Sequence, residues 1–119
     1  MNKIYHLSSC STCQRIIMEL GISEPEWDMQ DIKSESIEAD VLDKLAKEHG
    51  SYEALFSKRA MKFRAMGLNE RTLSEAEYRE LILGEYTFLK RPFILIDDTS
   101  FVGNSKKVVE AALLKLRNV

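Results

Sequence analysis

Two cysteines separated by two residues, Cys10 and Cys13, stand where a strand pattern gives way to a helix pattern. The run Ile4–Leu7 favours a strand. After Ser11, apolar residues recur at helical spacing as far as Gly21, where a helix would end. A bridge between cysteines so close in sequence closes almost no loop and stabilises a fold little. The spacing therefore indicates reaction chemistry or a metal site rather than a structural disulfide.

A cysteine at the start of a helix meets unsatisfied backbone amides and a partial positive charge, which lower its pKa from an ordinary value of about 8.5. We therefore predict that Cys10 is the exposed nucleophile. Cys13 lies one turn further along, where it can attack a mixed disulfide on Cys10 and resolve it. Ser11 and Thr12 are predicted to cap the helix and to contribute to substrate or anion binding.

Two other interpretations of the cysteine pair stay open at this stage. A structural zinc site usually takes four ligands, and the sequence adds only His6 and His49 to the two cysteines. We interpret both histidines as ordinary strand and helix-end residues, and predict no metal. Alternatively, Cys10 and Cys13 could both be small buried hydrophobic residues.

The remaining patterns predict strands and helices in an alternating order. A second strand is predicted at Glu26–Ile32, and a hairpin close to the C-terminus at Phe93–Val102. Helices are predicted at Ser36–His49, in short pieces within 51–72, from about Thr72 to Leu83 with Ser74 and Glu77 as a capping box, and at Ser105–Arg117. Ser34 or Ser36 is the expected cap of the helix that follows the second strand.

This order predicts an α/β fold with a mixed four-stranded sheet. Two N-terminal strands joined through a helix imply a parallel right-handed crossover, and the late hairpin adds two antiparallel strands. That is the plan of a thioredoxin-like fold. We predict one domain over residues 1–119, with a helical insertion at about residues 37–88.

Cations and a proline supply a second group of candidate site residues. Pro92 precedes an apolar strand, and we predict that its peptide bond is cis and that it faces the cysteine helix. Arg91 would then lie near Cys10, where it can stabilise a thiolate or bind an anion. Arg59 either points into the same site or belongs to a solvated basic face.

Composition excludes several classes of function. The chain carries 17 Lys and Arg against 19 Asp and Glu, for a net charge of −2, which offers no general attraction to nucleic acid. It has no apolar run near the roughly 20 residues of a spanning helix. The N-terminal residues lack the apolar stretch and cleavage site of a signal peptide. We therefore expect a cytoplasmic protein that binds neither a membrane nor nucleic acid directly.

In order along the chain, the sequence resembles the arsenate reductase ArsC and Spx family. The matching segments are Ile4-Tyr5 before Cys10-Ser11-Thr12-Cys13, Ser57-Lys58-Arg59 with Phe63 and Gly67-Leu68, Leu89-Lys90-Arg91-Pro92, and Val102-Gly103. The resemblance implies a thioredoxin fold with a helical insertion. Arsenate reductases of this type use one cysteine, here Cys10, and three arginines that hold the oxyanion. Those three positions fall on Ser57, Arg91 and Asn104 in this chain, and Asn104 could supply only a neutral hydrogen bond.

The resemblance supports three functional hypotheses. The leading one is an oxidoreductase of the thiol reductase type, with Cys10 and Cys13 as its redox pair and with glutaredoxin, thioredoxin or glutathione as reductant. No other cofactor is expected. The second is an Spx-like redox regulator that binds the C-terminal domain of the RNA polymerase α subunit. The third is a glutathione- and glutaredoxin-dependent arsenate reductase.

Overall fold

The computed structural model describes residues 2–117. The chain divides into two compact units. The sheet unit consists of Met1–Glu35 and Arg91–Val119, and the helical unit is the continuous segment Ser36–Lys90. That the whole chain forms a single domain with a helical insertion stays a prediction.

The sheet unit contains four strands in the order β2-β1-β3-β4. They are β1 (Asn2–His6), β2 (Trp27–Asp31), β3 (Phe93–Ile96) and β4 (Thr99–Val102). β1 pairs with β2 in parallel and with β3 antiparallel, and β3 and β4 form the predicted hairpin. The mixed four-stranded sheet of the sequence prediction is confirmed.

Two helices, α1 (Ser11–Leu20) and α5 (Lys106–Arg117), pack on one face of this sheet. The shared core consists of ten buried residues, Ile4, Ile16, Ile17, Leu20, Ile22, Trp27, Ile94, Ile96, Val109 and Ala112. α1 ends as predicted at Gly21, whose φ of +66° places it in the left-handed region that glycine adopts without strain. The apolar core thus fixes the position of α1 on the sheet, and with it the start of the helix that carries the cysteines.

The helical unit contains α2 (Ala39–His49), α3 (Met61–Ala65) and α4 (Glu75–Gly84), with short 3₁₀ turns at Glu53–Leu55, Leu68–Glu70 and Tyr86–Phe88. Its centre is aromatic. The Phe56 ring stacks on Phe88 at 4.9 Å between centroids and meets Tyr78 edge-on at 4.9 Å. Arg79 of α4 donates from Nε to an Asp43 carboxylate oxygen at 2.8 Å, which ties α4 to α2.

The capping box predicted for α4 is confirmed in both halves. The Ser74 hydroxyl accepts from the Glu77 N–H at 3.2 Å, and the Glu77 carboxylate accepts from the Ser74 N–H at 3.0 Å.

The predicted start of α2 is wrong, because neither Ser34 nor Ser36 caps it. The helix begins after Glu38, whose backbone is extended and whose side chain makes no capping bond. None of the described helices is long and apolar enough to cross a membrane.

Candidate active site

Cys10 is itself the N-cap of α1. Its φ and ψ of −93° and 113° are extended, and its carbonyl accepts the first helical bond, from Gln14 N–H, at 3.1 Å. The N-cap is thus Cys10, and the prediction that Ser11 or Thr12 caps this helix is wrong. The capping position places the Cys10 sulfur beside the free amides of the first turn. Cys10 is partly exposed and has no disulfide partner.

The pKa of Cys10 is lowered from its ordinary value by its surroundings. Partial burial acts against this shift, since it disfavours the charged thiolate. Hydrogen bonds from the backbone and thiol of Cys13 and from the backbone of Thr12 outweigh burial, together with the positive charge of Arg91. These groups favour the thiolate, which is the nucleophilic form of cysteine.

Cys13 has the opposite character. Its side chain is completely buried, and burial raises its pKa to about 12, with the neighbouring charge of Cys10 acting in the same direction. A backbone hydrogen bond from Leu7 and the charge of Arg91 oppose that rise. At neutral pH, Cys13 is therefore a protonated thiol, and its hydrogen bond to Cys10 favours the thiolate form of Cys10. The interpretation of both cysteines as buried hydrophobic residues fits Cys13 alone.

Arg91 and Pro92 lie immediately before β3, in the sheet unit with the cysteines. The Arg91–Pro92 peptide bond is cis, which confirms that prediction. Arg91 is half-buried, and its charge favours the thiolate at both Cys10 and Cys13, although burial keeps the pKa of Cys13 raised. The buried Pro92 accepts a hydrogen bond at its carbonyl from Gly103 N–H at 3.0 Å.

The other predicted binding residues differ in their positions. Asn104 follows Gly103 and is exposed, in the loop before α5. Ser11 is exposed and Thr12 half-buried in the first turn of α1, where the Thr12 backbone hydrogen-bonds Cys10. Arg59 is exposed in the helical unit, before α3. Roles for these residues in binding stay predictions.

Two residues beside the cysteine turn escaped the sequence analysis. Asp31, the last residue of β2, accepts a hydrogen bond from the Ser8 N–H at 3.4 Å. Gln14 of α1 donates from Nε2 to the Ser8 carbonyl at 3.1 Å. For Asp31, the predicted parallel pairing of the first two strands was the available signal, because the carboxyl ends of parallel strands meet at one edge of a sheet.

His6 ends β1 and is buried, 8% exposed. Its Nδ1 has no hydrogen-bond partner among residues 2–117. Burial lowers the pKa of His6 below its ordinary value of 6.5, while the nearby charges of Asp31 and Glu24 act in the opposite direction. In the folded protein His6 is therefore neutral at physiological pH.

The buried His6 predicts a pH dependence of folding. Below pH 6.5 an unfolded chain binds a proton at this histidine that the folded chain still resists, so the free energy of unfolding should fall as the pH is lowered towards the folded-state pKa. Urea unfolding between pH 7.5 and 5 measures this. His6→Gln should flatten the slope, and His49→Gln, which replaces the other histidine, should keep it. If the free energy of unfolding of His6→Gln still falls with pH as steeply as that of the wild type, the pH dependence does not come from His6.

No group of three or more His, Cys, Asp or Glu side chains within residues 2–117 is arranged to hold a metal ion. The chemistry available at this site is that of the two thiols: a stabilised thiolate on Cys10, a protonated thiol on Cys13 and a cation at Arg91. Such a pair can exchange disulfides with a thiol or disulfide substrate.

One family model and several solved structures are similar to this chain. A model of the ArsC family matches residues 5–112. A protein named YffB has a TM-score of 0.77 and 24% identity, covering 95% of this chain and 99% of its own. An arsenate reductase (ArsC) related protein from Brucella melitensis has a TM-score of 0.70 and 28% identity, with 92% of each chain covered. An arsenate reductase from Vibrio cholerae has a TM-score of 0.74 and 18% identity, covering 92% of this chain and 95% of its own.

No curated protein sequence matches this chain significantly. The structural matches confirm the predicted thioredoxin-like α/β fold. The family match extends from β1 into α5, so it includes the cysteine pair, the helical unit and the Arg91–Pro92 segment. On this evidence the chain belongs to the ArsC family of thiol redox proteins and arsenate reductases.

Proposed function

We propose that this protein is a cytoplasmic thiol-disulfide oxidoreductase in which Cys10 is the nucleophile and Cys13 the resolving thiol. The observation that carries the proposal is the opposite character of two hydrogen-bonded thiols at the start of α1. The pKa of Cys10 is lowered and that of Cys13 is raised to about 12. One thiol is therefore ready to attack while the other holds its proton.

In the first step the Cys10 thiolate attacks one sulfur of a substrate disulfide. A bond forms between that sulfur and Cys10, the substrate disulfide breaks, and the released thiolate takes a proton from solvent. This step removes the negative charge from Cys10. That charge helps to hold the pKa of Cys13 high, so its loss lowers the pKa of Cys13 at the stage when a second thiolate is needed.

In the second step Cys13 loses its proton and attacks the Cys10 sulfur. The Cys10–Cys13 disulfide forms, and the second substrate sulfur leaves as a thiolate that takes up the proton. Two electrons have passed from the protein dithiol to the substrate, which leaves as two thiols. A thiol reductant, either glutathione or the dithiol of a glutaredoxin or thioredoxin, then returns the protein to its reduced form.

The Spx-like alternative uses the same switch of the cysteine pair, with the RNA polymerase α subunit as partner, and it stays a prediction. The arsenate reductase alternative depends on oxyanion-binding arginines. Arg91 occupies one of those positions, while Ser57 and Asn104 occupy the other two. A neutral side chain binds an oxyanion less strongly than arginine does, so we favour a disulfide substrate over arsenate.

The proposal is tested by equilibrating the full chain in a series of glutathione redox buffers and counting free thiols by mass spectrometry. We expect one intramolecular disulfide whose midpoint lies at about −200 to −300 mV, within reach of cytosolic thiol pools. If no intramolecular disulfide forms in any buffer, Cys13 is not a resolving thiol and the proposal fails. A glutaredoxin-coupled assay with arsenate on the same preparation tests the arsenate alternative directly.

The charge of Arg91 should contribute measurably to the reactivity of Cys10. Arg91→Ala removes a cation that favours the thiolate, so the pKa of Cys10 should rise and its alkylation by iodoacetamide at pH 7 should slow about threefold. Arg91→Lys keeps the charge and should lose less. Arg15→Ala removes an exposed cation of α1 that is paired with Glu19 and serves as the matched control. Equal rates in Arg91→Ala and Arg15→Ala would contradict this role.

A further inference from the structure

The turn between β1 and α1 carries Cys10 and is short and exposed. It consists of Ser8 and Ser9, both of which face solvent, and Cys10 follows them directly. Inside the turn, one backbone bond joins Cys10 N–H to the Leu7 carbonyl at 3.0 Å. A turn of this kind has few contacts of its own that would fix the direction of the Cys10 sulfur.

Asp31 holds this turn from the neighbouring strand. One of its carboxylate oxygens accepts from the Ser8 N–H at 3.4 Å and from the Lys33 N–H at 3.2 Å. The Ser8 hydroxyl also hydrogen-bonds the carboxylate, and this bond is the main reason that the pKa of Asp31 is lowered. Asp31 is in reach because its strand position lies directly opposite His6, the last residue of β1.

Gln14 holds the same turn from the other side. Its Nε2 donates to the Ser8 carbonyl at 3.1 Å, from one turn inside α1. The N–H and the C=O of Ser8 are thus both bound by side chains that lie outside the turn, one on β2 and one on α1. Each of these elements is anchored independently, β2 by its pairing with β1 and α1 by the core.

We propose that Asp31 and Gln14 are positioning residues for the nucleophile: by binding the two backbone groups of Ser8, they hold the Cys10 sulfur against the amides of the first turn of α1. The inference rests on the proposed function, since it assumes that Cys10 is the attacking thiol. Both residues act through the backbone of the turn.

If Asp31 acted on Cys10 through its charge alone, its removal would change the pKa of Cys10 in the opposite direction to a loss of positioning. A carboxylate close to a thiolate disfavours it, so removing the charge would make Cys10 more acidic. Loss of positioning would instead move the sulfur away from the backbone amides and make Cys10 less acidic. Asp31→Asn removes the charge but keeps an acceptor oxygen, whereas Asp31→Ala removes both. The two variants therefore separate the two effects.

The experiment measures the rate of iodoacetamide alkylation of Cys10 against pH in the reduced full chain, with modified sites identified by mass spectrometry. Asp31→Ala should raise the pKa of Cys10 and slow its alkylation at pH 7 about threefold. Asp31→Asn should restore a rate close to that of the wild type. Asp28→Ala, an exposed carboxylate of the same strand that pairs with Lys3, is the control and should leave the rate unchanged.

Gln14→Ala gives a second, independent test at an exposed helix position, where alanine is a strong helix former. Met18→Ala, which is exposed on the same helix, is its control. Slower alkylation in Gln14→Ala supports the proposal. The proposal is overturned if Asp31→Ala and Gln14→Ala both react like their controls, or if Asp31→Asn is as slow as Asp31→Ala. The two failures are distinguished by the wild type. If its Cys10 reacts no faster than an ordinary thiol, the proposed function fails; if it reacts faster but the variants react like their controls, only the positioning proposal fails.

Discussion

Cys10→Ser is expected to abolish disulfide exchange by this protein. The serine hydroxyl is far less acidic than a thiol and cannot form a mixed disulfide, so neither step of the reaction can begin. We expect reduction of a model disulfide, with glutathione as the electron source, to fall to the rate without protein. The substitution is at a partly exposed N-cap, where serine is a favoured residue.

The fold of Cys10→Ser should therefore be intact, and circular dichroism with thermal unfolding checks this. Cys13→Ala serves as the paired variant, because it keeps the nucleophile and removes only the resolving thiol. If Cys10→Ser retains more than a small fraction of the wild-type rate while Cys13→Ala loses it, the two roles are exchanged and the assignment is wrong.

The second large effect is expected from Cys13→Ala in the presence of oxidised glutathione. Cys10 should still attack, but without Cys13 the mixed disulfide has no internal route to resolution. Protein carrying one glutathione should accumulate to nearly the whole population, whereas the wild type should pass to the intramolecular disulfide. Intact mass spectrometry after acid quenching distinguishes the two products.

Alanine is preferred to serine at this position because of burial. Cys13 is 0% exposed, and a hydroxyl costs more to bury in such a place than a methyl group does, by about 1–3 kcal/mol where its hydrogen bonds are incomplete. Cys13→Ser should therefore lower the free energy of unfolding by more than Cys13→Ala does. A mixed disulfide in Cys13→Ala that is no more abundant than in the wild type would show that Cys13 does not resolve it.

Local sequence signals predicted much of this fold. The cysteine junction, the end of α1 at Gly21 and the capping box of Ser74 and Glu77 each depend on residues within one or two turns of one another. The hairpin formed by β3 and β4 was also predicted, since its two strands are consecutive in the chain. In all four cases the structure is decided by nearby residues.

The errors have a different physical origin. Ser34 and Ser36 are good capping residues, but the helix begins only after Glu38, whose backbone is extended, and Ile37 is buried ahead of the helix. Burial of one apolar side chain outweighed the capping preference of the serines beside it. Ser11 and Thr12 were predicted as caps because of the same preference of hydroxyl residues for capping positions, whereas the cap lies one residue earlier, at Cys10.

Contacts between distant residues were the least predictable part of the site. Asp31 reaches Ser8 across 23 positions of sequence, and it does so only because the register of β1 and β2 places it opposite His6. The strand pattern predicted parallel pairing but not the register. Arg59 lies outside the strands, so no strand pairing could place it. The sequence therefore left open whether it points into the site or belongs to a solvated basic face.

The order of the strands has a consequence for synthesis on the ribosome. β1 is central in the sheet, yet one of its two neighbours, β3, begins only after the whole helical unit. Arg91 follows Cys10 by about 80 residues, and translation adds about 5–20 residues per second. The nascent chain therefore carries both cysteines for several seconds before the arginine and the third strand exist. During that interval Cys10 lacks one of the groups that lower its pKa in the folded protein, the Arg91 cation, so its thiol is less acidic than in the finished protein.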